Sequence, residues 1–370
     1  MVRIRHRFFI LLLVVHGLTG IDRAQSATAD EGVVTVPAMT IPYSDLASPE
    51  AKRNFIAMLH QRRQSRAWSS NDIRTVRSAT NLEKQASVTL LRRKFPVIIS
   101  SEIIGGVHSE VIVPASGIPE RNTARVLINL HGGSMLVGAG NAAQEASIPI
   151  SSLGRIKVVT VDYRMAPESH FPAASEDVAN VYAELLKSYH AENIGIYGCS
   201  SGAVLAAQAV AWFRTRGLPR PGAIGLFGEG AMDDGRLGDS LYTATLGGNP
   251  APTPPSKQSR AADEARHDWI YAGSTDATGP LISPAYHPEV LKDFPPSLLI
   301  SGTRDLGLSK IVYTHAQLVE AGVEADLHVW EGATHCSYAD GLVDPDVPEN
   351  LQAWKVISRF FDTHLGNATQ

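Results

Sequence analysis

Ser200 stands at the centre of Gly198-Cys199-Ser200-Ser201-Gly202, a G-x-S-x-G string between the apolar run Ile194-Gly195-Ile196-Tyr197 and the helical stretch from Ala203 to Arg216. A serine hydroxyl in that setting can act as a nucleophile in acyl transfer. The chain must turn sharply from strand into helix, and the two glycines remove side chains that would collide in so tight a turn. The helix N-terminus behind the serine adds N–H groups and a dipole that favours developing negative charge. Such strings are common, and a Gly/Ser-rich loop without chemistry is the plain alternative. The strand before and the helix after are what favour the nucleophile. Cys199 would take that role only in a different reading frame of the string.

A serine nucleophile needs a base, and the base needs an acid to orient it, in the chain order Ser, Asp or Glu, His. The histidines after Ser200 are His267, His287, His315, His328, His335 and His364. His335, in Gly332-Ala333-Thr334-His335-Cys336, follows a strand pattern and precedes a polar loop, so it can reach the end of a sheet. His328 falls inside a strand, and His315 and His364 fall on helices. Asp305 lies in the loop that ends the strand Ser297 to Ile300, with Asp293, Asp326 and Asp340 as rivals. The predicted triad is therefore Ser200, Asp305 and His335, which needs no metal or cofactor. Acyl transfer also builds an oxyanion, for which each preorganised N–H donor is worth roughly 10²–10³ in rate. His131-Gly132-Gly133-Ser134 follows the apolar run Val126 to Leu130. Its glycine pair would let backbone N–H groups approach a substrate; an ordinary glycine turn is the alternative.

The elements that must position these residues have a regular layout. Val107 to Val113 alternates as a half-buried strand should. Val126–Leu130, Ile156–Val161 and Ile194–Tyr197 are short continuous apolar runs, suited to central parallel strands buried on both faces. Ala223–Phe227, Ser297–Ile300 and Asp326–Trp330 extend the series. Helical patterns fall over Ala173–Tyr189, Ala203–Arg216, Lys310–Ala321 and Glu349–His364. Strand and helix alternate, which predicts a doubly wound α/β class with a mostly parallel central sheet flanked by helices. Residues 44–93 read as two polar helices outside that sheet, with Phe55, Met58, Leu59 and Trp68 interspersed. Alternation lapses again near residues 232–271, where Asn249 to Pro255 is too proline-rich for a helix or strand interior.

On these strings the chain resembles the hormone-sensitive-lipase-like esterases, the family IV carboxylesterases of the α/β-hydrolase superfamily. That family carries H-G-G-G before the nucleophile, matched here by His131-Gly132-Gly133-Ser134. Its Y-R-L-A-P-E string is close to Tyr163-Arg164-Met165-Ala166-Pro167-Glu168, and Pro280-Leu281-Ile282-Ser283-Pro284 is similar to another of its strings. The resemblance implies an α/β-hydrolase fold with a helical cap and hydrolysis of small-to-medium carboxylic esters through an acyl-enzyme. It implies N–H donors from Gly133, Ser134 and Ser201, with Gly132 shaping the turn and His131 holding the loop. The chain departs from the pattern at Ser134, where the family has a third glycine, and at Cys199, where it has an acid. Under the cap, Met135, Trp269, Tyr271 and Trp68 are candidate pocket residues, with cap core as the alternative. A homodimer is common in the family. A lactonase, amidase or peptidase, and a non-catalytic receptor on the same fold, remain open.

Residues 1–27 differ from the rest. Arg3, Arg5 and Arg7 precede the apolar run Phe8 to Val15, and small residues follow at Ser26-Ala27, the layout of a secretory signal peptide. The run is shorter than the roughly 20 residues a membrane-spanning helix needs. The expected layout is thus a signal at 1–27, cap helices within 28–100, and a catalytic domain at 101–370 interrupted by a cap insertion around 232–271, in a secreted or periplasmic protein. Hydrophobic residues make up 44% of the 370, enough for a sizeable core, and a formal charge of −4 gives no electrostatic support for nucleic-acid binding. The partner expected is a small-molecule ester. The two cysteines, Cys199 and Cys336, each adjoin a triad candidate. The simpler expectation is two small residues packed under the site as free thiols. The alternative is a disulfide tying the elbow to the histidine loop.

Overall fold

The computed structural model describes Val34, Val36 and residues 38–64, 72–236, 238–248, 271–273, 275–339 and 343–366. The expected signal segment, Trp68, Asp340 and the whole 249–270 stretch, with Trp269, lie outside the described residues. From Tyr43 onward the chain forms one compact unit, and residues up to Pro42 form another.

Eight strands pair into one sheet among the described residues: β1 (Val97–Ile104), β2 (Val107–Pro114), β3 (Val126–Leu130), β4 (Lys157–Val161), β5 (Ile194–Cys199), β6 (Ala223–Phe227), β7 (Ser297–Arg304) and β8 (Ala325–Thr334). Their order is β1-β2-β4-β3-β5-β6-β7-β8. β1 and β2 pair antiparallel, as do β2 and β4, and every pairing from β4 across to β8 is parallel. Seven longer helices accompany them among the described residues: α1 (Pro49–Gln64), α2 (Ile73–Lys94), α3 (Asn141–Gly154), α4 (Ala173–Leu185), α5 (Ser201–Thr215), α6 (Leu308–Glu320) and α7 (Pro348–His364).

The central strands are mostly apolar because both faces are covered. Alternate side chains go to opposite sides, as the two-residue strand period requires. Val126, Ile128 and Leu130 of β3 join a core shared with α4, α5 and α6. Leu127 joins a second core shared with α2, α3 and α7. Two elements escaped the sequence reading. β1 is an edge strand whose middle residues are largely exposed, so it lacks the apolar run of a buried strand. α3 contains Pro149 and several serines, yet it buries eight residues between the sheet, α2 and α7.

This second core also reaches the site. Trp354 of α7 is buried, packs edge-on against Phe95, and donates from Nε1 to the Tyr338 carbonyl at 2.8 Å. Replacing Trp354 with alanine removes both contacts, and we expect about 3–5 kcal/mol of lost stability, read from urea unfolding.

Candidate active site

Parallel strands deliver their C-terminal ends to one edge of the sheet, and the three predicted triad residues follow β5, β7 and β8 there. Ser200 occupies the turn from β5 into α5 at φ 58°, ψ −131°. That left-handed conformation is strained for a residue with a side chain, by roughly 1–3 kcal/mol. The fold imposes it: the Ser200 N–H donates to the Phe227 carbonyl at 2.8 Å, and its carbonyl accepts from Ala203 N–H at 2.9 Å. A Cβ on Gly198 would collide with the backbone of Gly202, and one on Gly202 with the Leu130 carbonyl. The elbow therefore exists only because both positions are bare.

His335 Nε2 lies 2.9 Å from Ser200 Oγ, and its Nδ1 lies 2.7 Å from Asp305 Oδ1. Asp305 is 1% exposed. Its Oδ1 also accepts from Gly307 N–H at 2.8 Å, and its Oδ2 accepts from Ser301 Oγ at 2.9 Å. A buried carboxylate is tolerated only when its oxygens are so compensated. The imidazole tautomer that serves both neighbours donates from Nδ1 to Asp305 and accepts at Nε2 from the serine hydroxyl. Tyr338 is also buried here. Burial, reinforced by the Asp305 charge, holds its phenol well above the usual tyrosine range, so it stays neutral.

The rivals are elsewhere. Asp293 pairs with Arg214, and Asp326 is exposed on β8. His328 stacks on Trp330, His315 faces the Ala325 carbonyl, and His364 lies near Glu324. No group of three or more His, Cys, Asp or Glu among the described residues is arranged to hold a metal ion.

The glycine loop lies against the elbow. Gly132 abuts it so closely that a Cβ there would stand 2.8 Å from the Cys199 carbonyl oxygen. Gly133, Ser134 and Met135 follow with φ of 109°, 56° and 57°, a succession of residues in the left-handed region. Met135 N–H is already used by Ser201 Oγ at 3.2 Å. Among the described residues, the N–H groups of Gly133, Ser134 and Ser201 have no protein acceptor. The loop is braced from behind. His131 stacks on Tyr163 with centroids 4.2 Å apart, and Tyr163 Oη donates to the His131 carbonyl at 2.6 Å. Arg77 of α2 donates to the Leu136 and Ala166 carbonyls and pairs with Glu168.

Ser200, Gly133, Ser134 and His335 open onto a cavity of about 960 Å³. Its other walls come from Tyr43, from Asn54, Phe55, Met58 and Gln61 of α1, from Thr80, Glu83 and Lys84 of α2, and from the start of α7. Arg304 lies over the Tyr43 ring at 4.8 Å and the Phe55 ring at 5.4 Å. The Tyr43 phenol is pushed up to about 12, by burial first and by Glu349 next, and remains a neutral donor to the Gly332 carbonyl at 3.1 Å.

Three sequence expectations need correction. Met135 and Tyr271 do not line this cavity; both are 3% exposed within the apolar core. The Met135 side chain is carried inward by its left-handed backbone, and the Tyr271 hydroxyl is engaged by Ala174 N–H at 3.2 Å. Nor are the cysteines free thiols: Cys199 and Cys336 form a disulfide, with Cα atoms 6.3 Å apart. The pocket residues missed were Tyr43, Phe55 and Met58. Phe55 and Met58 are among the apolar interruptions in a largely polar helix, which was the available signal.

A family model described as alpha/beta hydrolase fold matches residues 127–339. The acetyl-hydrolase of Streptomyces hygroscopicus is 28% identical over 256 residues, covering 67% of this chain and 79% of that protein. Among solved structures, esterase E25 superposes with a TM-score of 0.73 at 29% identity, covering 90% of this chain and 99% of that one. An esterase from the bacterial hormone-sensitive lipase family does so at 0.70 and 26% identity, covering 86% and 99%. With its mostly parallel sheet and flanking helices, the chain belongs to the α/β-hydrolase-fold family, within the hormone-sensitive-lipase-like carboxylesterases.

Proposed function

We propose that the protein is a serine carboxylesterase acting on small-to-medium carboxylic esters, with Ser200 as nucleophile, His335 as base and Asp305 as its orienting acid. One observation carries this reading: the unbroken hydrogen-bond relay Asp305–His335–Ser200, which opens onto a cavity beside three unengaged N–H groups. Ser200 Oγ attacks the ester carbonyl while its proton passes to His335 Nε2. Asp305 fixes the imidazole and stabilises the imidazolium. The N–H groups of Gly133, Ser134 and Ser201 receive the oxyanion. His335 then protonates the departing alcohol, and water, activated by the same imidazole, releases the acid. The cavity is of the size that holds small ligands, and the S. hygroscopicus relative is named an acetyl-hydrolase.

We further propose that the chain is exported and its first 26 or 27 residues removed. The basic head, apolar run and small residues of that segment support this. So does the Cys199–Cys336 disulfide, which persists in oxidising compartments.

p-Nitrophenyl esters from acetate to octanoate, with the matching anilides, test the chemistry. Ser200→Ala should lower ester kcat by more than about 10³-fold with the fold retained; survival of most activity would refute the assignment. Asp305→Asn should lower kcat by roughly 10²–10⁴-fold at neutral pH, because the amide no longer selects the productive tautomer. N-terminal sequencing of protein recovered from outside the cytoplasm should start near Ala27; a start at Met1 would count against export with cleavage.

A further inference from the structure

Ser200 and His335 follow strands that are not neighbours. β5, β6, β7 and β8 are consecutive in the sheet, so at about 4.8 Å per step their ends are roughly 14 Å apart. Yet His335 Nε2 is 2.9 Å from Ser200 Oγ. The chain after β8 therefore has to run back over the ends of β7 and β6. Within residues 336–339, the backbone N–H groups that bond do so inside the turn, Ser337 to the Thr334 carbonyl and Ala339 to the Cys336 carbonyl. These bonds shape the turn without fixing its distance from the elbow.

The Cys199–Cys336 disulfide spans that gap, joining residues 137 positions apart. One cysteine immediately precedes the nucleophile, and the other immediately follows the base. Both are buried, with Tyr197, Phe227 and Tyr338 around them. Gly228, at the end of β6, lies directly beneath. A Cβ there would stand 2.6 Å from Cys336 Sγ and 3.2 Å from His335 Cε1. The returning turn thus rests on bare backbone below and is bonded to the elbow at its side.

Building on the assignment of Ser200 and His335, we propose that the Cys199–Cys336 disulfide is a positioning element for the reaction, holding the imidazole at its distance from the nucleophile. It touches no substrate and acts through His335. A cross-link closing so long a loop also stabilises the fold, so a loss of stability on its removal does not test the proposal.

The test compares oxidised full-length protein with two forms lacking the bond. One is the same protein reduced by dithiothreitol under native conditions, where the dithiol closes to its cyclic disulfide and two protein thiols appear. The other is Cys199→Ala/Cys336→Ala. Active sites are counted by fluorophosphonate labelling, and kcat is expressed per labelled site well below the unfolding temperature. Misplacement by about 1 Å can cost about 10²-fold. We expect kcat to fall by about 10–100-fold with KM within about twofold, the phosphonylation rate to fall in parallel, and reoxidation of the reduced protein to restore kcat. If either form, shown by thiol titration or sequence to lack the bond, keeps kcat per site within twofold of the oxidised protein, the proposal is overturned, whatever its melting temperature. If the variant does not fold, the reduced protein decides; if the native bond resists the dithiol, the variant decides. Failure of the oxidised protein itself to label at Ser200 would instead overturn the underlying assignment.

Discussion

An imidazole just past the outermost strand has to accept a hydrogen bond from a hydroxyl just past a central strand, while a buried carboxylate following one of the two strands between them grips its other nitrogen. Each distance in that relay is under 3 Å, and each residue arrives from a different part of the chain. The local irregularities of the sheet serve this geometry. β7 and β8 pair regularly until Gly302, and then their register shifts before Arg304 meets Thr334. Just beyond that shift the two strands release Asp305 and His335 toward each other. The carboxylate is removed from water and is compensated by Ser301 Oγ, Gly307 N–H and the imidazole.

The glycine loop after β3 depends on a second set of contacts, polar and peripheral to Ser200. Tyr163 and Arg164 come from one short stretch. Tyr163 supports the His131 carbonyl, and Arg164 is anchored by Asp177 and Glu176. Arg77 brings α2 onto the same loop through the Leu136 and Ala166 carbonyls. The helix that helps to wall the cavity is thereby bonded to the loop that supplies the N–H donors. A shift of α2 would be felt at both, which couples the shape of the pocket to the donors beside the nucleophile.

Much of this was legible in the amino-acid order. Central strands such as Val126–Leu130 and Ala223–Phe227 are buried on both faces, so they are almost entirely apolar and their bounds are readable. Ser200, Asp305 and His335 could be placed because each sits just past such a run. β1 was missed because an edge strand with Ser100, Ser101 and Glu102 facing solvent has no comparable pattern. α3 was missed because Pro149 and the polar residues Gln144, Glu145, Ser147, Ser151 and Ser152 interrupt its pattern, although its neighbours bury it. Met135 and Tyr271 were expected to line the pocket because they adjoin the oxyanion loop and the anticipated cap. Backbone handedness at Met135 and a hydrogen bond at Tyr271 direct both into the core.

The order of residues alone determined the class of sheet, the elbow, the glycine loop and the identity of the three relay residues, since these follow from local pattern and spacing. Tertiary structure alone decided what surrounds Ser200. Whether Cys199 meets Cys336 depends on how a turn beyond the sheet's edge folds back across two strands, and no local pattern encodes that path. Likewise, the first helix, far from the nucleophile in the chain, became a wall of its cavity through Phe55 and Met58. Ser200 was visible as a serine between two glycines, and His335 as a histidine past a strand; the bond that ties their neighbours together became visible only in the fold.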